Sequence, residues 1–297
     1  MQDLLTRLTK PDVLIADGAT GTMLQKAGLP IGTAPERWNL ENPDAIRAHY
    51  QAYVKAGSDI ILTNTFGGSH IRLEREGLGA DCIRINQQAA NLARQVAQEA
   101  DGEVIVFGDM GPTGELLEPM GTLKEARVVQ AFSEQAKALS DGGVDAILIE
   151  TMSDLTEAKA ALKGAREVTA LPVIISFSFD THGRTMMGVK PAQAVREIWP
   201  LGVTAVGANC GRTISETLTA IEEMREAVPE AILLAKPNAG LPQSDGTDLV
   251  YDITPDIMAD YAIKFAQSGV KIFGGCCGST PDHIRAVAKA LIRNKTS

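Results

Sequence analysis

Three of the four cysteines in this sequence follow apolar segments and could together bind one metal ion. Cys210 ends the segment AVGANC, and Cys276 and Cys277 stand side by side in IFGGCCG. Adjacent cysteines are poorly placed for an ordinary disulfide, which points to metal or redox chemistry. Three thiolates suit zinc, which at catalytic sites often has three protein ligands and a fourth position for substrate. Asn238, in the segment PNAG, could fill that fourth position when substrate is absent.

Each cysteine also has a plainer interpretation. A cysteine in a strand is most often a small buried side chain, and the glycine pair before Cys276 could be a phosphate-binding turn. Cys82 lies in a helical pattern and is expected to be structural. The other three stand at segment ends beside glycines, which permit close backbone approach, and this favours a metal site for the set.

Two acidic residues, Asp17 and Glu150, end other apolar segments and could bind a substrate ammonium group. The backbone N–H groups of Gly18 and Ala19, in a turn leading into a helix, could then hold a carboxylate. Together these groups describe a pocket for an α-amino acid. A pair of carboxylates could also act in glycoside hydrolysis, but that reaction does not need three thiolates. Two structural alternatives stay open: Asp17 could cap a helix, and Glu150 could pair with a core Lys or Arg.

The segments that must position these residues alternate between two patterns. Short runs rich in Val, Ile, Leu and Phe recur between longer stretches with apolar residues at helical spacing. There are eight such runs, at residues 13–17, 60–66, 104–111, 146–151, 173–179, 205–210, 232–238 and 272–278. Near-continuous apolar strands that are each followed by a helix indicate a parallel sheet covered on both faces.

A closed (β/α)8 barrel of the TIM type is favoured over an open, doubly wound α/β sheet. The usual phosphate-binding pattern of the open sheet, G-x-G-x-x-G, is not met by DGATGT after the first run. No linker rich in Pro, Ser or charge divides the chain, so we expect one barrel domain over residues 1–297. Catalytic groups of such barrels lie at the C-terminal ends of the strands, which places the predicted zinc site on that face.

Composition and charge exclude several classes of partner. The chain of 297 residues carries 28 Lys and Arg against 37 Asp and Glu, a formal net charge of -9, and it has no basic run. Nucleic acid and anionic membranes are therefore not expected as partners. No stretch approaches 18 consecutive apolar residues, and the amphipathic N-terminus does not resemble a signal peptide. We expect a cytoplasmic protein.

The motifs around these residues resemble those of the homocysteine S-methyltransferase family along essentially the whole chain. They are, in order, DGATGTML, TNTFGGS, GDMGPTGE, ET, GANCG, PNAG and GGCCGSTPDHI. The resemblance implies a (β/α)8 barrel in which Cys210, Cys276 and Cys277 hold zinc and the homocysteine sulfur becomes the fourth ligand. It also implies that the amino acid end of homocysteine is bound by Asp17, Gly18, Ala19, Thr65 and Glu150, and that Asn238 can approach the metal.

The resemblance leaves the methyl donor open. It is greatest to cobalamin-dependent members, in which folate- and cobalamin-binding modules follow the barrel, whereas this sequence stops just past its last helical segment. We therefore expect methylcobalamin supplied in trans, by a corrinoid protein or by separate modules. S-methylmethionine is the next alternative. Betaine comes third, because binding of its quaternary ammonium group usually requires several aromatic rings and the chain is only 4% aromatic.

Two hypotheses from other classes stand beside methyl transfer. The chain could be a non-catalytic module that binds zinc or an amino acid, which would need the same pocket without a path for a donor. It could also be a metal-free barrel lyase or aldolase that uses Glu150 and a Schiff base on Lys236.

Overall fold

The computed structural model describes residues 4–244 and 249–294. Ten strands lie in this part of the chain: β1 (Leu14–Ile15), β2 (Ile60–Leu62), β3 (Ile105–Met110), β4 (Ala146–Met152), β5 (Val173–Phe177), β6 (Ala205–Cys210), β7 (Leu233–Pro237), β8 (Pro242–Ser244), β9 (Leu249–Tyr251) and β10 (Val270–Phe273). All except β8 and β9 pair in parallel in one eight-stranded sheet, in the order β1-β10-β7-β6-β5-β4-β3-β2. β8 and β9 form a separate antiparallel pair.

The eight-stranded sheet closes on itself. Ala16, next to β1, forms a parallel bridge with Ile60 of β2. The Asp17 N–H also donates to the Ile60 carbonyl at 3.0 Å. These contacts join the two ends of the sheet, and the predicted (β/α)8 barrel is confirmed.

The helices surround the barrel and fill most of the sequence between its strands. They are α1 (Leu4–Leu8), α2 (Gly21–Lys26), α3 (Trp38–Glu41), α4 (Pro43–Ala56), α5 (His70–Arg75), α6 (Cys82–Glu99), α7 (Glu125–Asp141), α8 (Leu155–Val168), α9 (Pro191–Ile198), α10 (Ile214–Ala227), α11 (Pro255–Gln267) and α12 (Pro281–Asn294). The Thr-Pro-Asp signature predicts the start of α11 correctly, and Thr254 Oγ1 caps the Ile257 N–H. None of the helices in the described ranges is long and apolar enough to cross a membrane.

Alternate residues of the strands enter two separate cores. One core lies inside the barrel and contains Phe107, Leu148, Ile174 and Leu234 among others, with Leu4 and Leu8 of α1 packed into the same cluster. The other lies between sheet and helices and contains the intervening residues, such as Ile147, Ile149, Ile175 and Val206. This division follows from the period of two in a strand. It also decides which residues near the C-terminal end of each strand face the barrel interior.

Two local features differ from the sequence prediction. The last barrel strand ends at Phe273, so Cys276 and Cys277 lie in the loop after it rather than within a strand running to residue 278. Beyond Phe273 the backbone still hydrogen-bonds to its neighbours, because the Gly275 N–H donates to the Asp17 carbonyl at 2.8 Å and the Cys276 N–H donates to the Pro237 carbonyl at 2.9 Å. The β8–β9 pair between β7 and α11 is also absent from the prediction.

Candidate active site

A layer of polar side chains lies inside the barrel at the C-terminal ends of its strands. Each polar residue comes two positions after an apolar interior residue, so the period of two places both on the same side of the sheet. Examples are Asp109 after Phe107, Glu150 after Leu148 and Lys236 after Leu234. Ser176 and Asn209 stand at the corresponding positions of β5 and β6, and all five of these residues are buried.

The three predicted cysteine ligands come together above this layer. Their sulfur atoms all lie within 4.8 Å of one another, and the Sγ atoms of Cys210 and Cys276 are 2.9 Å apart. Cys210 adopts a φ of 56°, in the left-handed region that a residue with a side chain rarely occupies, and Gly211 follows with a φ of 77°. This local conformation ends β6 at Cys210. Strained backbone of this kind concentrates at functional sites.

The loop bearing Cys276 and Cys277 is held tightly against the loop after β1. Ser279 Oγ donates to the Cys276 carbonyl at 2.7 Å and accepts the Ala19 N–H at 3.1 Å. Gly18 is required at this approach, because an added Cβ would come within 2.5 Å of Ser279 Oγ and 2.8 Å of the Tyr53 hydroxyl oxygen. Ser279 therefore joins the loop bearing Cys276 and Cys277 to the loop bearing Gly18 and Ala19.

Asn209 supports the cysteine cluster from the barrel interior. Its Nδ2 donates to Thr151 Oγ1 at 2.6 Å and reaches Cys210 Sγ at 3.5 Å. Its Oδ1 accepts from the Thr151 N–H at 2.8 Å and from Ser176 Oγ at 2.6 Å. Thr151 has a φ of 63°, so a second strained residue lies beside the cluster. The amide thus fixes the end of β4 and supplies a hydrogen-bond donor toward sulfur.

Beneath the cysteines, three carboxyl groups surround one ammonium group. Lys236 Nζ donates to Glu150 Oε2 at 2.8 Å, and both side chains are buried. Burial alone would lower the pKa of Lys236, but Glu150, Asp17 and Asp109 outweigh it and raise that pKa, so the amine stays charged. A protonated, paired amine cannot form a Schiff base readily, which argues against the lyase hypothesis.

The carboxyl groups of this cluster are hard to ionise. Burial raises the pKa of Asp17 to about 7, against the opposing effect of Lys236. Burial also raises the pKa of Glu150 and of Asp109. Asp17 Oδ2 accepts the Leu62 N–H at 2.7 Å, whereas Oδ1 is buried and has no hydrogen-bond partner among the described residues. A second cation in this cluster would relieve the excess of acidic groups.

The predicted site residues do not all reach the open space. A cavity of about 610 Å³ at the mouth of the barrel is lined by Gly18, Ala19, Glu150 and the three cysteines, together with Lys236 and Asp109. Thr65 is fully buried, and its hydroxyl donates to the Asp109 carbonyl at 2.7 Å. The structure thus places Thr65 behind the acidic cluster. The Ala19 N–H is already engaged by Ser279.

Asn238 lies beside the cysteine cluster. Its Nδ2 donates to the Gly211 carbonyl at 2.8 Å, and its N–H donates to the Cys210 carbonyl at 3.4 Å. Its Oδ1 is buried and accepts no hydrogen bond from the described part of the chain. An unpaired buried acceptor can accept from a cation, and the approach of Asn238 to a metal stays a prediction.

Sequence reasoning assigned no site role to Asn209 or Ser279, and it considered Lys236 only as a Schiff-base lysine or an unnamed partner of Glu150. For Asn209 and Lys236 a signal was present, because each lies two residues after a small or apolar interior position. For Ser279 no local pattern was available, since its role depends on a contact with Ala19, 260 residues away.

The cysteines differ in how readily they carry charge. Hydrogen bonds from Cys210 and Cys276 lower the pKa of Cys277 far below its usual range, whereas the hydrogen bond with Cys276 raises the pKa of Cys210. Cys277 is also the most exposed of the three. The cluster can therefore carry negative charge at the cavity wall, and a thiophilic cation fits it.

Comparisons with known proteins identify the family of the chain. The sequence profile of a family described as homocysteine S-methyltransferase matches residues 14–291. The methionine synthases of Mycobacterium leprae (strain TN) and Mycobacterium tuberculosis (strain ATCC 25618 / H37Rv) are 35% and 36% identical over 98% and 99% of this chain. The chain spans only 25% and 26% of their length.

Solved structures support the same fold. The metallated form of the homocysteine methyltransferase MmuM from Escherichia coli superposes with a TM-score of 0.77 at 24% identity, covering 95% of this chain and 97% of that one. Its oxidised form gives a TM-score of 0.80 at 23% identity with the same coverage. At this level of identity the likeness establishes the barrel architecture.

Proposed function

The chain belongs to the homocysteine S-methyltransferase family, and from that premise we propose that it methylates homocysteine to methionine with zinc held by Cys210, Cys276 and Cys277. The observation that carries the proposal is the convergence of these three thiols, from two distant segments, on the cavity at the barrel mouth. We treat residues 1–297 as one homocysteine-binding barrel. Free thiols of this kind persist in a reducing compartment, in keeping with a cytoplasmic location.

The residues present fit zinc by their chemistry. The sulfur cluster is soft and partly anionic, and the orphaned Oδ1 of Asn238 could complete the coordination when substrate is absent. When bound, zinc would keep the homocysteine sulfur as a thiolate at neutral pH, where a free thiol with a pKa near ~8.5 is only a few per cent ionised. Asn209 positions Cys210, and Ser279 positions Cys276.

The acidic cluster is proposed to bind the ammonium group of homocysteine. Glu150 lines the cavity, and Asp17 lies beneath it with one free oxygen. Lys236 neutralises only one of three buried carboxyl groups, so the cluster favours a second cation. The loop at Gly18 and Ala19 would face the substrate carboxylate. Thr65 would not contact the substrate but would hold the Asp109 backbone in place through its hydrogen bond to the Asp109 carbonyl. These residues orient the sulfur toward the cysteines.

Methylcobalamin is the methyl donor that we propose, supplied by a corrinoid protein or by separate cobalamin- and folate-binding modules. The support is that the methionine synthases similar to this chain are about four times its length. S-methylmethionine is the alternative. Betaine is disfavoured because Tyr50 and Tyr53 are fully buried in the core and cannot surround its ammonium group.

A donor assay tests the proposal. Zinc-loaded protein is incubated with homocysteine and, separately, methylcobalamin, S-methylmethionine or betaine, and methionine is measured with Cys277→Ala as the control. We expect slow turnover with methylcobalamin alone, lost in the variant. Turnover with S-methylmethionine or betaine would overturn the donor assignment. No methionine with any donor would favour the non-catalytic binding module.

A further inference from the structure

A second cluster of metal-binding side chains lies outside the cavity, on the flank of the barrel. It consists of His70 at the start of α5, Cys82 at the start of α6 and Glu134 in α7. One ligand atom from each residue lies within 4.8 Å of the other two. None of the three lines the cavity at the barrel mouth. The proposed function assigns them no role.

The sulfur of the cluster is buried, whereas the histidine and glutamate side chains are partly exposed. Cys82 is 1% exposed, whereas the His70 and Glu134 side chains are 28% and 31% exposed. An ion could therefore reach the cluster from solvent and meet the buried sulfur behind the two outer groups. His70 Nδ1 lies 3.7 Å from Glu134 Oε1, too far for a hydrogen bond. That nitrogen is buried and has no hydrogen-bond partner within the described residues.

The donor set suits one class of ion. A thiolate, a neutral imidazole and a carboxylate together carry two negative charges, which balance a divalent cation. Soft sulfur combined with nitrogen and carboxylate oxygen selects zinc or a similar transition metal over magnesium or calcium. From this arrangement we propose that His70, Cys82 and Glu134 form a second zinc site, with three protein ligands, that is independent of the three-cysteine cluster.

Metal at this site would join the starts of α5 and α6 to α7. Cys82 Sγ now donates to the Gly68 carbonyl at 3.4 Å, and Asn86 Nδ2 donates to the same carbonyl at 2.8 Å. Zinc would replace the thiol proton, which passes to solvent, while Asn86 would continue to hold Gly68. Burial and the charge of Glu134 raise the pKa of Cys82 to about 12, so the thiol stays protonated until a cation offsets both effects.

Zinc stoichiometry tests the proposal in the full chain. Protein dialysed against zinc is expected to bind two equivalents, and His70→Ala, a change at a partly exposed position, is expected to bind one. Glu134→Gln is expected to weaken the second site at least tenfold. Glu74→Gln is the matched control, because Glu74 Oε2 faces the other ring nitrogen of His70 at 3.9 Å, and it should retain both equivalents.

Removal of the first cluster separates the two sites. In Cys276→Ala/Cys277→Ala, one zinc equivalent should remain, and cobalt(II) in its place should show a thiolate charge-transfer band that disappears with His70→Ala. Wild-type protein that binds one equivalent, unchanged by His70→Ala, would overturn the proposal and leave the three-cysteine site standing. Loss of metal in Glu74→Gln but not in Glu134→Gln would also contradict it.

Discussion

Lys236 carries the only ammonium charge in the described part of the acidic cluster beneath the cysteines. Its pair with Glu150 is buried, with side chains 3% and 7% exposed. Removing one partner of a buried ion pair leaves an uncompensated charge. We expect Lys236→Met to destabilise the protein by about 3–5 kcal/mol, measured by urea unfolding.

The matched control for this change is Lys159→Met. Lys159 pairs with Glu197 at 2.6 Å, but the two side chains are 43% and 37% exposed. Solvent screening limits such a pair to less than about 1 kcal/mol. Equal losses of stability in the two variants would contradict the role that we give to the buried pair.

Asp17 predicts a pH dependence of substrate binding. Its pKa is raised to about 7 by burial, so it becomes protonated as the pH falls from 8 to 6 and loses its attraction for an ammonium group. Homocysteine affinity should therefore fall over this range. Ionisation of the homocysteine thiol on zinc would also make the affinity fall as the pH decreases. The difference in affinity between wild type and Asp17→Asn therefore isolates the contribution of the Asp17 carboxyl group.

Calorimetric titration at several pH values provides the measurement. The slope of log Kd against pH should be shallower by up to about one unit in Asp17→Asn. Identical slopes in the two proteins would show that Asp17 does not bind the ammonium group.

At the level of elements, the contact between β6 and β7 sets the position of Cys210. Gly207 of β6 leaves no room for a side chain, because an added Cβ would come within 1.9 Å of the Leu234 carbonyl oxygen. Gly207→Ala must force the strands apart, and overpacking of this kind costs about 1–3 kcal/mol or more. We expect lower thermal stability together with reduced zinc content.

Gly21 offers the control for this substitution. It begins α2, and an added Cβ would meet no atom within 4 Å. Gly21→Ala should be neutral or stabilise the protein by up to about 1 kcal/mol, since alanine restricts the unfolded chain. If Gly207→Ala retained wild-type stability and zinc content, the proposed positioning of Cys210 by strand packing would be wrong.

The elements also show what sequence could and could not predict. The eight apolar runs predicted the strands because parallel strands buried on both faces consist of near-continuous apolar residues. The end of the last strand was missed because the backbone after Phe273 keeps hydrogen-bonding to Asp17 and Pro237, so no change in the sequence pattern marks the end. The β8–β9 pair was missed because each strand has three residues and no strong alternation.

As with the fold, only part of the candidate site could be predicted from the sequence. The sequence predicted that three cysteines lie close together, because the C-terminal ends of barrel strands share one face. These are Cys210, Cys276 and Cys277. Thr65 could not be placed by this reasoning, because its position behind Asp109 depends on side-chain packing.

The stability of the whole molecule should depend on the pH through His49. This residue is buried against Tyr50 and Tyr53, and burial lowers its pKa to about 4. Between pH 6.5 and 4 the unfolded chain therefore binds a proton that the folded chain does not. Stability falls as the pH decreases through this window, by up to about 1.4 kcal/mol per pH unit from this group alone.

Denaturant unfolding of wild type and His49→Phe at pH 4 to 7 would measure this contribution. Buried carboxyl groups with raised pKa values act with the opposite sign, so the difference between the two proteins is the informative quantity. We expect His49→Phe to gain stability relative to wild type as the pH falls. A constant difference across the window would contradict burial of neutral His49.

We propose that the three cysteines hold zinc in a position to receive the sulfur of homocysteine. X-ray absorption at the zinc edge counts the sulfur ligands, and the His70→Ala variant is used so that one site is observed. We predict three sulfur ligands at about 2.3 Å, increasing to four when homocysteine is added and remaining at three with homoserine. A sulfur count that homocysteine leaves unchanged would show that the substrate sulfur does not bind this zinc.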